Sequence, residues 1–138
     1  MKLKIKLDEY AIMPTRAHAS DAGLDIYSRE TKYIHANGSA IFHTGVHIAL
    51  PEGTVGFLKS KSGLNVKHGI TGEGVIDSGY TGEIVAALYN ATPFDYKVNM
   101  WDKIIQLVIL PIYTPQLEQV ERLVETERGD SGFGSTGK

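Results

Sequence analysis

The sequence predicts an all-β domain, a sandwich or barrel of short strands with at most one short helix, followed by a flexible glycine-rich C-terminal arm. Three observations predict it. Apolar residues alternate with polar ones over short stretches, and long helical periodicity is nearly absent. Glycine is frequent, at 15 of 138 residues, and punctuates those stretches. Beyond about Glu125 the apolar pattern stops, which divides the chain into a β domain over 1–125 and an arm over 126–138.

The elements follow in order. Leu3, Ile5 and Leu7 alternate with lysines, the pattern of a half-buried strand, and leave no apolar run that would serve as a signal peptide. Residues 21–28 read as a strand-like segment entered through Gly23. Val46, Ile48 and Leu50 repeat the alternation up to Pro51-Glu52-Gly53, a turn signal. Residues 55–58, 74–76 and 83–89 are further short strands. Residues 62–68 fit one short helix with Ser62 as its cap. Residues 104–110 are apolar except at Gln106, as in a strand buried on both faces. A polar residue there needs a partner or a task. Leu117, Val120, Leu123 and Val124 have helical spacing, but an edge strand is the favoured reading.

Composition bounds the function. Lysine and arginine number 14 against 16 acidic residues, and a net charge of -2 gives no footprint for long nucleic acid. With no cysteine there is no disulfide framework, thiolate metal site or thiol nucleophile. No apolar stretch reaches membrane-spanning length, so a soluble, cytoplasmic protein is expected.

Four segments carry residues suited to chemistry. Asp25, within Asp21-Ala22-Gly23-Leu24-Asp25-Ile26-Tyr27-Ser28, offers a carboxylate as an outer contact for a hydrated cation, or it belongs to a capped strand start. Leu58-Lys59-Ser60-Lys61-Ser62-Gly63-Leu64 joins cation, hydroxyl and glycine at a helix start, either an anion nest or a solvated turn. In Gly74-Val75-Ile76-Asp77-Ser78-Gly79-Tyr80-Thr81-Gly82-Glu83 a strand delivers Asp77 beside Tyr80. That pair suits a general base next to a packing surface, or an ordinary hairpin turn.

The fourth segment is the arm, with four glycines in residues 128–138. It has almost nothing apolar to bury, yet it holds amides, hydroxyls, Arg128 and one aromatic, Phe133. Ordering about ten such residues costs on the order of 10–20 kcal/mol of backbone entropy. Each charge-assisted hydrogen bond returns ~1.5–3 kcal/mol, and a base stacked on Phe133 ~1–3 kcal/mol. The arm is therefore expected to close only over a ligand with several phosphate oxygens and a flat face, as a nucleoside triphosphate has. Two look-alikes in the arm are discounted. Gly132 to Lys138 spells most of a P-loop but has no helix after it, and Arg128-Gly129-Asp130 is a tripeptide that recurs by chance.

Taken in order, these segments resemble the five motifs of the trimeric dUTPase family. The first is similar to Ala22-Gly23-Leu24-Asp25-Ile26-Tyr27-Ser28 and the second to Ser60-Lys61-Ser62-Gly63-Leu64. The third matches the segment from Gly74 to Glu83, the fourth Asp102-Lys103-Ile104-Ile105-Gln106, and the fifth the residues from Arg128 to Gly137. The resemblance implies a β jelly roll, a homotrimer with shared active sites, and hydrolysis of dUTP to dUMP and pyrophosphate with Mg2+ on the triphosphate. Such an enzyme removes dUTP from the DNA precursor pool and supplies dUMP for dTMP synthesis.

Carried over residue by residue, the resemblance makes Asp77 the base that activates the attacking water. Tyr80 would pack on the deoxyribose and leave no room for a 2′-hydroxyl. Thr71, Gly74, Val75 and Ile76 would read uracil, largely through backbone groups. Lys61, Ser62 and Gly63 would hold phosphate oxygens with Gln106 nearby, and Asp25 would touch the metal through water. Arg128, Ser135 and Thr136 would grip the terminal phosphates while Phe133, next to Gly134, stacks on the base. The family usually has arginine where this chain has Lys61, and glycine where it has Trp101. A dCTP deaminase-like or bifunctional relative, and a dUTPase scaffold with an added regulatory protein-binding role, are the alternatives.

Overall fold

The structure, a computed structural model, describes residues 1–137. Lys138, the lysine of the P-loop look-alike, lies outside the described residues. Alternation is most legible in β7 (Glu83–Asn90), where Ile84, Ala86 and Leu88 turn inward while Val85 and Tyr89 stay exposed. The same pattern, with lapses, builds β1 (Lys4–Leu7), β2 (Gly23–Tyr27), β3 (Lys32–Ile34), β4 (Ser39–Ala49) and β5 (Thr54–Ser60). Helix α1 (Ser62–His68) separates β5 from β6 (Ile70–Asp77), and β8 (Tyr96–Val98) and β9 (Lys103–Pro111) follow β7. Seven strands form one curled sheet in the order β1-β4-β7-β6-β5-β9-β2, and β3 pairs with β8 beside it. Adjacent strands are antiparallel throughout. The all-β prediction with one short helix holds.

The curl wraps the sheet around one core. Ile26, Ile34, Phe42, Val46, Ile84, Leu88, Ile105 and Leu107 are fully enclosed there, drawn from both ends of the strand order. Each removes apolar surface from water at about 25 cal/mol per Å2.

Three expectations need correction. Ser62 does not cap α1: Lys61 occupies the cap position in extended conformation, with no side-chain bond to the helix start. Strand β9 is not buried on both faces along its length. Ile104, Ile105 and Leu107 are enclosed, but Leu110 is 44% exposed because no described layer covers that end. Residues 117–124 form neither strand nor helix. The last backbone bond holding the chain to the body is Ile112 N–H to Gly53 O, at 2.9 Å. After it Leu117, Leu123 and Val124 stay exposed, with neither an apolar face nor a partner strand among the described residues to order them.

Candidate active site

One row of residues crosses four strands. Asp25 on β2 faces Gln106 on β9, Gln106 faces Lys59 on β5, and Lys59 faces Glu73 on β6. Asp25 is buried, and both of its oxygens are taken by ammonium groups, Oδ1 by Lys61 and Oδ2 by Lys103 at 3.0 Å. Burial pushes the Asp25 carboxyl up, but the bonds from Lys61 and Lys103 outweigh it and hold the group below its ordinary 3.8. The same contact raises Lys103 above its usual value. Gln106 Nε2 donates to Ser60 O at 3.0 Å, which supplies the partner that its place in an apolar strand demands. Glycine at position 23 leaves room for that side chain, because a Cβ there would meet Gln106 Oε1 and push the amide from its present place.

Ser60 fastens the start of this region to β6. Its hydroxyl accepts from Gly72 N–H at 2.9 Å and donates to Gly72 O at 3.2 Å. The first intrahelical bond of α1 runs from Asn65 N–H to Lys61 O, so the N–H groups of Ser62, Gly63 and Leu64 have no partner within the helix. A Cβ on Gly63 would meet nothing within 4 Å. The helix start is therefore open for an anion that approaches the backbone closely.

Asp77 and Tyr80 belong to a different place. Strand β6 pairs with β7 only at Ile70, Thr71 and Gly72, opposite Asn90, Tyr89 and Leu88. From Glu73 to Asp77 it pairs with β5 instead. The hairpin splays, and among the described residues the edge of β6 that faces β7 over residues 73–77 has no strand partner. Thr71 to Ile76 are thus an arm of the hairpin and not its turn. Ile76 is buried with its side chain in the core, so only its backbone faces the gap, whereas Val75 is exposed. Gly79, at φ +95°, makes the turn at residues 78–82 possible. Tyr80 N–H donates to Asp77 O at 3.1 Å, and Tyr80 Oη donates to Glu83 O at 3.0 Å. The half-exposed ring lies where a Cβ on Gly82 would be. Asp77 stands exposed at the mouth of this gap.

The two places do not meet within one chain. Asp77 is opposite Val55, and Lys61 lies six residues further along from Val55. At about 3.3 Å per residue, that is about 20 Å. The structure gathers Asp25, Lys61, Ser62, Gly63 and Gln106 at one end, and Thr71, Gly74, Val75, Ile76, Asp77 and Tyr80 along the other. Arg128, Phe133, Gly134, Ser135 and Thr136 join neither. Their segment folds on itself through Ser131 N–H to Arg128 O at 3.0 Å and Ser135 N–H to Gly132 O at 3.1 Å. Arg128, Ser131, Ser135 and Thr136 line a shallow cavity of about 570 Å3, and Phe133 is fully exposed at φ +46°.

Sequence reasoning missed Lys103 as a partner of Asp25, although it sits inside the fourth motif. It also missed the residues behind the 78–82 turn, namely Arg29, His43, His47 and the side chain of Glu83. Glu83 accepts from His43 Nδ1 and from Gly45 N–H, each at 2.8 Å. Their wide separation in sequence left no local signal. Among the described residues no group of three or more His, Cys, Asp or Glu could hold a metal ion. The donor set forms no protein cage; it suits only a hydrated ion that brings its own oxygen ligands, which would reach Asp25 if Lys61 or Lys103 released one of its oxygens.

The family model described as dUTPase matches residues 9–137. The deoxyuridine 5'-triphosphate nucleotidohydrolase of Clostridium acetobutylicum is 45% identical over 141 aligned residues, which cover 99% of this chain and 97% of that one. The protein of the same description from Arabidopsis thaliana is 44% identical, covering 96% of this chain and 80% of its own. Among solved structures, the Staphylococcus bacteriophage 80alpha dUTPase with dUPNHPP superposes with a TM-score of 0.93 at 35% identity, over 99% of both chains. A D95N mutant dUTPase from phage phi11 of S. aureus, described with a structural Mg(II) ion, superposes with a TM-score of 0.83 at 34% identity, over 91% of this chain and 100% of that one.

Proposed function

This chain belongs to the dUTPase family, enzymes of the dUTP diphosphatase class, and from that premise we propose how its own residues hydrolyse dUTP to dUMP and pyrophosphate. The observation that carries the reading is the splayed β6–β7 hairpin, with unpartnered backbone at residues 73–77 and the Asp77 carboxylate at its mouth. A uracil entering the gap would find N–H and C=O groups arranged as a strand edge, able to pair with its polar edge. Thr71, Gly74, Val75 and Ile76 line the approach. Tyr80 closes the opening against the sugar, and a 2′-hydroxyl is rejected by lack of room.

Asp77 then holds a water in line with the α-phosphorus and takes its proton as the water attacks. A positioned base of this kind contributes ~10²–10⁴-fold, and the remainder comes from orienting the phosphates and neutralising their charge. Lys61 and the open N–H groups of Ser62 and Gly63 grip phosphate oxygens, with Gln106 fixed beside them by Ser60. Mg2+ accompanying the triphosphate would supply charge neutralisation, and Asp25 would face its hydration shell once Lys61 moves from Asp25 to a phosphate and frees one carboxylate oxygen. The arm closes last, with Phe133 over the base and Arg128, Ser135 and Thr136 on the terminal phosphates, Gly134 letting the backbone pass close.

The separation of about 20 Å between Asp77 and Lys61 along one ladder supports a site assembled from more than one chain. A homotrimer with shared sites answers that need. The reading is tested by pyrophosphate release from dUTP, UTP, dTTP and dCTP, with ammonia measured for dCTP. The expected result is turnover of dUTP alone. Ammonia from dCTP, or nucleotide binding without turnover, contradicts it.

A further inference from the structure

The β4–β7 ladder breaks beside the 78–82 turn. His43 faces Val85 and His47 faces Glu83, so Thr44, Gly45 and Val46 stand opposite Ile84 alone. The bulge needs Gly45 at φ +67°, and side chains take over its lost pairing. The Thr44 hydroxyl donates to Ile84 O at 2.5 Å, and Gly45 N–H donates to the Glu83 carboxylate. Bulges re-aim side chains beside working sites. This one turns His47, whose side chain is 19% exposed, toward the turn that carries Tyr80.

The His47 ring is held from both ends. Nδ1 lies 2.9 Å from Thr81 O, and Nε2 lies 2.9 Å from Asp8 Oδ2. A carbonyl and an ionised carboxylate only accept hydrogen bonds. An imidazole bonded to both must donate from both nitrogens, and so carries a positive charge. We propose that protonated His47 is a positioning residue, which anchors the 78–82 turn through the Thr81 carbonyl and so sets how closely Tyr80 fits the sugar of the substrate. The proposal rests on the reading of Tyr80 given above.

The charged groups around the ring come from each neighbouring element. Asp8 follows β1, Lys6 lies on β1 with its ammonium 3.8 Å from Asp8, and Arg29 follows β2 with its guanidinium 3.9 Å from Asp8. Glu83 faces His47 from β7 and is itself bonded to Arg29 and His43. The Asp8 bond, and then the Thr81 bond, hold the imidazole above its ordinary 6.5, with burial and Lys6 opposing. As pH rises through that raised value the ring keeps a single N–H, which the ionised Asp8 carboxylate, the stronger acceptor, holds on Nε2, and the Thr81 anchor at Nδ1 is lost.

The test is the ratio of kcat/KM for dUTP to that for UTP, measured across pH in wild type, His47→Gln and Asp8→Asn. Any ionisation of the shared uracil cancels in the ratio. His47→Gln keeps one donor and loses the charge. Its ratio is expected to fall roughly tenfold, the effect of one charge-assisted hydrogen bond, while the melting temperature stays close to wild type. The wild-type ratio is expected to fall by a similar factor with rising pH, an arm that needs no variant to fold. In Asp8→Asn that fall moves to lower pH. A ratio flat with pH and unchanged in His47→Gln overturns the proposal, as does equal loss for both nucleotides, the mark of a merely structural role. If Tyr80→Ala lowers the ratio while His47→Gln does not, this inference alone fails. If wild type releases no pyrophosphate from dUTP, the reading beneath it fails as well.

Discussion

The two ends of the β5–β6 ladder are built on opposite plans. At the end near α1, charge is answered before any ligand arrives: Asp25 holds Lys61 and Lys103, and Gln106 is bonded to Ser60. At the other end polar groups are left open. Among the described residues the β6 edge over 73–77 has no strand partner, and Asp77 stands exposed beside a turn held from behind by His47 and from within by Tyr80. A preformed cluster favours binding a fixed charge pattern with little reorganisation beyond the transfer of Lys61 from Asp25 to the ligand. Open backbone can discriminate a base by its hydrogen-bonding edge, because a wrong partner leaves groups unpaired.

The largest effect should come from the open end. Asp77→Asn is expected to lower kcat by ~10²–10⁴-fold while dUTP binding by calorimetry stays near wild type. Full activity in that variant sinks the role given to Asp77. Deleting residues from Gly129 onward should come next, costing roughly a hundredfold in kcat, the scale of removing preorganised donors. Among the described residues no hydrogen bond or ion pair ties 113–137 to the body, so melting temperature should not change. An unchanged kcat contradicts the closing arm.

The charged end can be broken by acid. The Asp25 carboxyl is depressed in the folded protein, so its contribution to stability is present above the ordinary 3.8 and is lost as pH falls through the lower folded value. Melting temperature measured down that range should drop less steeply in Asp25→Asn than in wild type; identical slopes exclude the linkage. The smallest effect is expected for Lys61→Arg, which adds a bidentate fork for phosphate and should tighten dUTP binding by a few-fold. Weaker binding would mean that the contact with Asp25 depends on the slim ammonium.

How much of this was legible in the sequence depended on distance along the chain. Local alternation revealed most strands, and the five motifs pointed to Asp25, Lys61, Gln106, Asp77 and Tyr80. Strands β3 and β8, three residues each, were too short to show a period. The reading of 117–124 as an edge strand failed because its spacing reports apolar residues, not whether a neighbouring strand is there to receive them. His47 was hidden for a similar reason. Its importance comes from a bulge; Gly45 inside a strand is a signal for one, but it does not say that the bulge will turn His47 toward the 78–82 turn. Gln106 went the other way: a polar residue in an apolar strand was flagged as needing a partner, and Ser60 O supplies it.

The central claim is that catalysis joins ends that lie about 20 Å apart in any single chain. It is tested most directly by pyrophosphate release from an equimolar mixture of Asp77→Asn and Lys61→Ala chains, denatured and refolded together. Each variant alone should be nearly inactive. If sites draw Asp77 and Lys61 from different chains, the mixture should recover about a quarter of wild-type turnover, the fraction of sites in which both donors are unmutated. If both residues act within one chain, no unmutated site can form, and a mixture no more active than its components contradicts the account.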